Sequence, residues 1–404
     1  MLRKIHIDRL KIGMVVEKMD HSWMQHPFLV NKKKITSEDH IRALREYGIL
    51  EVYIDTDEGL DVEVLAPPPE LTDLAAPLPK EIPLQEELQY AEATQREVQN
   101  VVQSVMQDVR LGKNIESDNV RRVVGTMIDS IFRNADALSS LTRLKGYDEY
   151  TFVHSVNVCV LCLTLGRRLE YSRFDLQTLG IGALLHDTGK IKVPPAILNK
   201  AGRLDEQEME EMKRHPLYSV EVLESAGGVP EESKGVALQH HERWNGGGYL
   251  QGLRGDGIDR FGHVAALCDV YDAMTSDRCY AKGMPPHEAI RKIHASSGRD
   301  FHPDIVQTFI RCMGIYPVGT VVQLDTREIG VVTAVNKEKI LRPRLTLLFR
   351  DVRTRLPRPV SVDLEEKAPG GRLFARTIVG PLDPAGLGIN PAECFAEALP
   401  ATVG

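Results

Sequence analysis

The sequence predicts a mainly α-helical protein with a small α/β unit in front and a small β-rich unit behind. Three observations predict it. Apolar residues recur at helical spacing through 85–111 and again through 117–142. From 145 to about 313 the chain keeps helical patterning, with one glycine-rich interruption at 245–257. Short β-branched runs split by turn residues occur only near the two ends, in ILEVYIDT and in VGTVVQLDTREIGVVTAVN.

Residues 1–63 read as the α/β unit. Within ITSEDHIRALREYGI, Thr36 followed by Asp39 approximates a capping box. Ile41 and Leu44 supply an inward face, and Gly48 a stop. Residues 64–84 hold six prolines, which remove backbone donors and fix φ, so this stretch reads as an extended linker. Residues 85–144 follow as amphipathic helices. One stripe runs Leu88, Ala91, Val98, Val101, Val105, Val109, the next Val120, Val124, Met127, Ile131, Leu138, Leu141. Both read as core packing, with a homodimer seam as the alternative. Residues 145–315 form the main helical domain. Residues 316–404 form the β-rich extension, to about 380, and an irregular tail.

The bulk numbers bound the function. The chain has 404 residues, 42% hydrophobic and 26% charged, with a net charge of −7. That is an ordinary soluble composition with no footprint for bulk nucleic acid, though it is compatible with a local cationic pocket. No apolar run is long enough for a membrane span, and MLRKIHIDRLKIGMVV lacks the continuous apolar core of a signal peptide. Six scattered cysteines suit a reducing cytoplasm. Cys159 and Cys162 have CxxC spacing, but with no second pair they read as small core residues. His21, His26 and His40 read as surface or packing residues.

The chemistry gathers elsewhere. The helical domain contains His154, His186, Asp187, His215, His240, His241 and Asp269. His186–Asp187 and His240–His241 are adjacent pairs ending the apolar stretches LGIGALLHD and SKGVALQHHE. Burying such groups unpaired would cost several kcal/mol apiece. A cation removes that cost, because neutral imidazole and ionised carboxylate are its ligands. Lacking thiolate, the set suits Fe, Mn, Co or Ni ahead of catalytic Zn, and argues against a structural zinc site. Seven ligands exceed the need of one ion. Two divalent ions bridged by Asp187 would use them, in the arrangement that clamps both oxygens of a phosphoryl displacement. Lys190, three residues after Asp187, shares its helical face.

Five stretches together resemble the HD-GYP family, a branch of the HD phosphohydrolases. They are HSVNV at 154–158, HDTGKIKVPPAIL at 186–198, MKRHP at 212–216, HHERWNGGGYLQGL at 240–253 and DVYDAMTSDRCY at 269–280. The resemblance covers about 145–315. It implies an all-helical HD-type domain that hydrolyses cyclic di-GMP to pGpG or GMP in bacterial second-messenger signalling. Carried over by position, His154, His186, Asp187 and Asp269 would hold one metal. Asp187, His215, His240 and His241 would hold the other. Lys190 and Arg278 would grip phosphate, and the 245–257 loop with Tyr249 would border the cleft and meet diguanylate cyclases. A glutamate that helps some members hold a third ion is replaced by Tyr150, which implies a binuclear site. Residues 1–63 resemble a domain often found ahead of this one, and 317–380 resemble its C-terminal extension.

The chain departs from the family pattern in three places. Gly-Tyr-Pro becomes Gly248, Tyr249, Leu250, and the preceding aspartate becomes Asn245 beside Trp244. Three successive glycines, Gly246 to Gly248, read as a permissive, mobile loop. A phosphate-binding lysine becomes Ala281, with Lys282 one residue on, about 100° around a helix. These changes imply a weakened substrate grip. They keep two alternatives open: hydrolysis of another cyclic dinucleotide such as cyclic GMP-AMP, or a nucleotide sensor or scaffold that hydrolyses little.

Overall fold

The computed structural model describes residues 2–7, 10–19, 33–46, 51–59, 79–141, 150–200, 202–276, 283–336, 338–371 and 373–391. The chain divides into two compact units, Met1–Pro77 and Leu78–Gly404. Among the described residues no helix is long and apolar enough to cross a membrane.

The first unit is a four-stranded antiparallel sheet with one helix. Strands β1 (Leu2–His6), β2 (Val15–Met19), β3 (Lys33–Lys34) and β4 (Glu51–Asp55) lie in the order β1-β4-β2-β3. Helix α1 (Glu38–Glu46) starts one residue later than a Thr36 cap would set it. Thr36 instead donates its N–H to His40 Nδ1 at 3.4 Å. Ile41 and Leu44 are buried as their spacing predicts, with Val16, Ile35, Val52 and Ile54. Gly48, His21, His26 and most of the proline-rich stretch lie outside the described residues.

The second unit is mainly α-helical. Helix α2 (Leu84–Arg110) begins at the last residue of the predicted linker, directly after Pro83. Its buried positions are Leu88, Ala91, Val98, Val102, Val105 and Met106. Val101 and Val109 are only half-buried, because a 3.6-residue repeat rotates the inward stripe over seven turns. The chain's own core takes up this face. Glu87, fully buried, is held by Arg133 Nε at 2.6 Å and Ser130 Oγ at 2.6 Å. A single element over 117–142 is not what forms. Helix α3 (Ser117–Arg133) stops at Asn134, whose extended backbone (φ −157°, ψ 109°) and Oδ1, accepting from Asp136 N at 3.1 Å, open α4 (Ala135–Leu141).

Helices α5 (Tyr150–Arg168), α6 (Arg173–Leu185), α7 (Pro195–Leu198), α8 (Glu206–Met212), α9 (His215–Ala226), α10 (Glu231–Gln239), α11 (Arg260–Thr275), α12 (Pro286–Ala295) and α13 (Pro303–Met313) follow. Ser172 and Asp175 form a reciprocal capping box at the start of α6. Cys159, Cys162 and Cys268 are buried in the core between α5, α6 and α11, as small apolar residues. A five-stranded antiparallel sheet closes the unit: β5 (Val321–Leu324), β6 (Ile329–Ala334), β7 (Arg344–Asp351), β8 (Thr354–Asp363) and β9 (Ile378–Pro381), in the order β8-β7-β6-β5-β9. Val318 and Val335 pack into the helical core and join the sheet to it.

Candidate metal centre

Helix ends place most of the chemistry. Helix α6 stops at Leu185, so His186 caps it and Asp187 stands beyond it (φ −102°, ψ 5°) before a 3₁₀ turn, Thr188–Lys192. The aspartate and Lys190 therefore share a 3₁₀ turn, not the α-helical face their spacing suggested. The turn presses against α9: a Cβ on Gly189 would lie 2.1 Å from His215 O and 2.3 Å from Ser219 N. Only glycine permits that approach. Ser219 Oγ accepts from Gly189 N at 2.9 Å and donates to His186 O at 2.6 Å, tying both segments. His215 opens α9, His240 caps the end of α10 with His241 next, and His154 and Asp269 project from within α5 and α11.

All seven predicted ligands converge, and six of them are buried while His241 is half-buried. The carboxylate of Asp187 faces two ways. Its Oδ2 lies 3.4 Å from His186 Nε2 and 3.7 Å from His154 Nε2. Its Oδ1 lies 3.4 Å from His215 Nε2 and 3.8 Å from His240 Nε2. Asp269 Oδ1 is 3.1 Å from His154 Nε2, and Asp269 Oδ2 is 3.9 Å from His241 Nδ1. His154, His186 and Asp269 form one set of mutually close ligand atoms, and His215, His240 and His241 another.

The tautomers follow from the other ring nitrogens. Nδ1 of His186, His215 and His240 each lies 2.7 Å from a backbone carbonyl, of Ala183, Met212 and Ala237. A carbonyl only accepts, so these Nδ1 atoms carry the proton and Nε2 keeps its lone pair. His154 Nδ1 similarly meets Asp272 Oδ2 at 2.6 Å. The Nε2 atoms of His215 and His240 lie 3.3 Å apart, and those of His215 and His241 3.2 Å. The lone pairs of His215 and His240, facing each other at this distance, repel unless a cation stands between them. His186 Nε2 and Asp187 Oδ1 are buried without a hydrogen-bond partner. Buried polar atoms are rarely left so, and a metal supplies the missing partner. The residues therefore fit a metal site built of imidazole and carboxylate.

Protonation states agree. Burial pushes His215 down to about 4 and His241 down to about 3, and lowers His240, so these rings are neutral donors. Burial opposes charge on Asp187, but His186, Lys190 and His215 outweigh it and hold the carboxyl well below its usual range. Asp269 is depressed too, burial being outweighed by His154. His154 differs. Burial disfavours its charge, yet Asp269 and Asp272 raise it to about 10. Metal binding would displace that proton.

Lys190 Nζ lies 2.5 Å from Asp187 Oδ2, so its ammonium is engaged with the central carboxylate. Tyr249 stacks on His241, with ring centroids 4.6 Å apart and planes 23° from parallel. Arg278 and Lys282, with Ala281, lie outside the described residues. Tyr150 opens α5 one turn before His154. Asp272, to which the sequence reading gave no role in the site, is buried and holds His154 and, at 2.9 Å, Asn157. Its signal was present: an aspartate one turn after Asp269 in an apolar helix. Glu242 was missed as well. It is buried and accepts from Gln251 N at 2.7 Å and Leu253 N at 3.0 Å.

Glu242 overturns the expectation of a loose loop. Tyr249 N donates to His241 O at 3.2 Å, Gly255 N to Trp244 O at 3.0 Å, and Trp244 N to Asp300 O at 2.9 Å. A Cβ on Gly248 would lie 2.5 Å from backbone atoms of His241, Glu242 and Arg243. Here glycine serves close backbone approach, and the segment is pinned to the residues that carry the histidine pair.

Comparison with known proteins identifies the family. Residues 125–305 match the HD domain, and residues 2–120 match a domain of unknown function, DUF3391. The chain is 37% identical over 369 residues to a cyclic di-GMP phosphodiesterase of Pseudomonas aeruginosa, covering 90% of this chain and 88% of that one. The chain belongs to the HD-GYP family of HD-domain proteins. It is also 33% identical over 193 residues to a cyclic di-GMP phosphodiesterase response regulator of Xanthomonas campestris, 47% of this chain and 51% of the relative. Over 186 residues it is 31% identical to a 3′3′-cGAMP-specific phosphodiesterase of Vibrio cholerae, 46% of this chain and 34% of the relative. It thus spans about half or less of these last two. Among solved structures, an HDG"Y"P protein from Bdellovibrio bacteriovorus aligns with a TM-score of 0.47 at 19% identity, over 76% of this chain and 98% of that one.

Proposed function

We propose that this chain is a metal-dependent phosphodiesterase acting on cyclic di-GMP. One observation carries the reading: Asp187 turns each carboxylate oxygen toward a different group of imidazoles, and the buried atoms at that junction lack partners. The Pseudomonas relative, aligned over most of both chains, supports the substrate. His154, His186, Asp187 and Asp269 would hold one divalent ion, and Asp187, His215, His240 and His241 a second. An all-nitrogen-and-oxygen set favours Fe or Mn, with Ni, Co and Zn behind. Bound there, the pair supplies an activated water and positive charge against the phosphoryl oxygens.

The chain's own groups do the rest. Asp272 orients His154. Backbone carbonyls orient the rings of His186, His215 and His240. Lys190 balances the charge of Asp187. Tyr249, held over His241, gives the cleft an aromatic wall, and Arg278 and Lys282 would meet the phosphates.

The test is turnover by purified protein reconstituted anaerobically with Fe(II) or Mn(II), offered cyclic di-GMP and cyclic GMP-AMP in parallel. Hydrolysis of cyclic di-GMP, abolished in Asp187→Ala, is expected. Tight nucleotide binding without turnover in either metal would make the protein a sensor. Preference for cyclic GMP-AMP would reassign its substrate.

A further inference from the structure

The C-terminal sheet lies beyond both family matches. Its charge is the reverse of the chain's. Residues 317–391 carry twelve Lys or Arg against eight Asp or Glu, in a chain of net −7. Most of the acids are already engaged. Glu328 binds Arg376, Asp363 binds Arg344, and Glu365 binds Lys339. Asp325 accepts the Thr377 N–H. Arg342 and Lys367 lie over the Phe374 ring. Arg327 and Arg353 have no ion-pair partner among the described residues, Arg350 is drawn to Asp351, and all three line one recess of about 560 Å³.

The recess lies between two hairpin tips. Arg327 sits in the β5–β6 turn with φ +72°, a left-handed conformation unusual for a residue with a side chain. Arg350 and Arg353 flank the β7–β8 turn, where Val352 is 56% exposed. Gln323, Thr326 and Asp351 complete the lining. Asp351 is the one carboxylate there, and its Oδ1 accepts Arg353 N at 2.9 Å. Three guanidinium groups around a concave space suit phosphate oxygens, which they engage as forks. The volume exceeds a single phosphate and falls in the range of small-ligand sites. The chain's net negative charge disfavours a long polyanion.

We propose that this recess binds a small organic phosphate of nucleotide size, with Arg327, Arg350 and Arg353 holding its phosphate groups and Val352 meeting its apolar part. The site shares no residue with the metal centre and stands or falls independently of the phosphodiesterase reading.

Titration calorimetry on the full chain in EDTA tests it, with GMP, cyclic di-GMP and inorganic pyrophosphate as probes. Wild-type protein should bind GMP or cyclic di-GMP with a Kd below about 1 mM. The R327A/R350A/R353A variant should bind at least about tenfold more weakly, and the corresponding triple lysine variant in between. R358A, an arginine of the same sheet outside the recess, should bind as wild type does. Binding unchanged in the triple alanine variant, or weakened equally by R358A, would overturn the site. Pyrophosphate binding alone would reduce it to a simple anion site and overturn the nucleotide assignment. Binding only of single-stranded RNA, with steep salt dependence, would replace it with a nucleic-acid surface.

Discussion

At the scale of single residues, the groups just outside the ligand set make the sharpest predictions. Asp272 Oδ2 lies 2.6 Å from His154 Nδ1 and holds that ring nitrogen. Asp272→Ala should weaken metal binding about 10–100-fold while the fold persists, as read by metal analysis after dialysis. Glu242 should behave differently. Glu242→Ala leaves two loop N–H groups without an acceptor and should destabilise by about 1–3 kcal/mol in urea unfolding, with metal content near wild type. The clustered histidines and aspartates were legible in the sequence as candidates, because such residues at the ends of apolar stretches have few bland explanations. The carbonyls of Ala183, Met212 and Ala237 were not, since backbone acceptors carry no residue signature.

At the scale of elements, the differences between expectation and structure have local causes. Asn134 splits one predicted helix because its side chain caps the next one better than it continues the last. The α6 helix yields to a 3₁₀ turn, and this delivers Asp187 to the centre of the site. The Gly246–Gly248 run reads as freedom from sequence alone. In the fold Gly248 answers a need for contact, which only three-dimensional neighbours reveal. Gly248→Ala should therefore displace the loop, lose the Tyr249–His241 stacking and destabilise by about 1–3 kcal/mol. Raised KM with a smaller change in kcat, together with a lower urea midpoint, is the expected signature. Unchanged values of both would mean that the loop tolerates the extra methyl group.

At the scale of the molecule, metal and fold are linked. The centre draws ligands from α5, the α6 end, α9, the α10 end and α11, so an ion bound there favours the assembled helical unit over the unfolded chain. At a metal concentration a hundredfold above Kd the gain is about 2.7 kcal/mol. Chelation should then lower the melting temperature of the helical unit by about 5–10 °C. Asp187→Ala should show little further drop with EDTA. An equal drop in both would place the stabilising ion elsewhere.

Three of the imidazoles take their orientation from main-chain oxygens three residues upstream. No point substitution can delete those oxygens, so drift in the surrounding sequence leaves these rings aimed. His154 leans instead on a replaceable side chain, Asp272. A substitution at position 272 therefore removes the support of one ring while the main-chain supports of the other three persist.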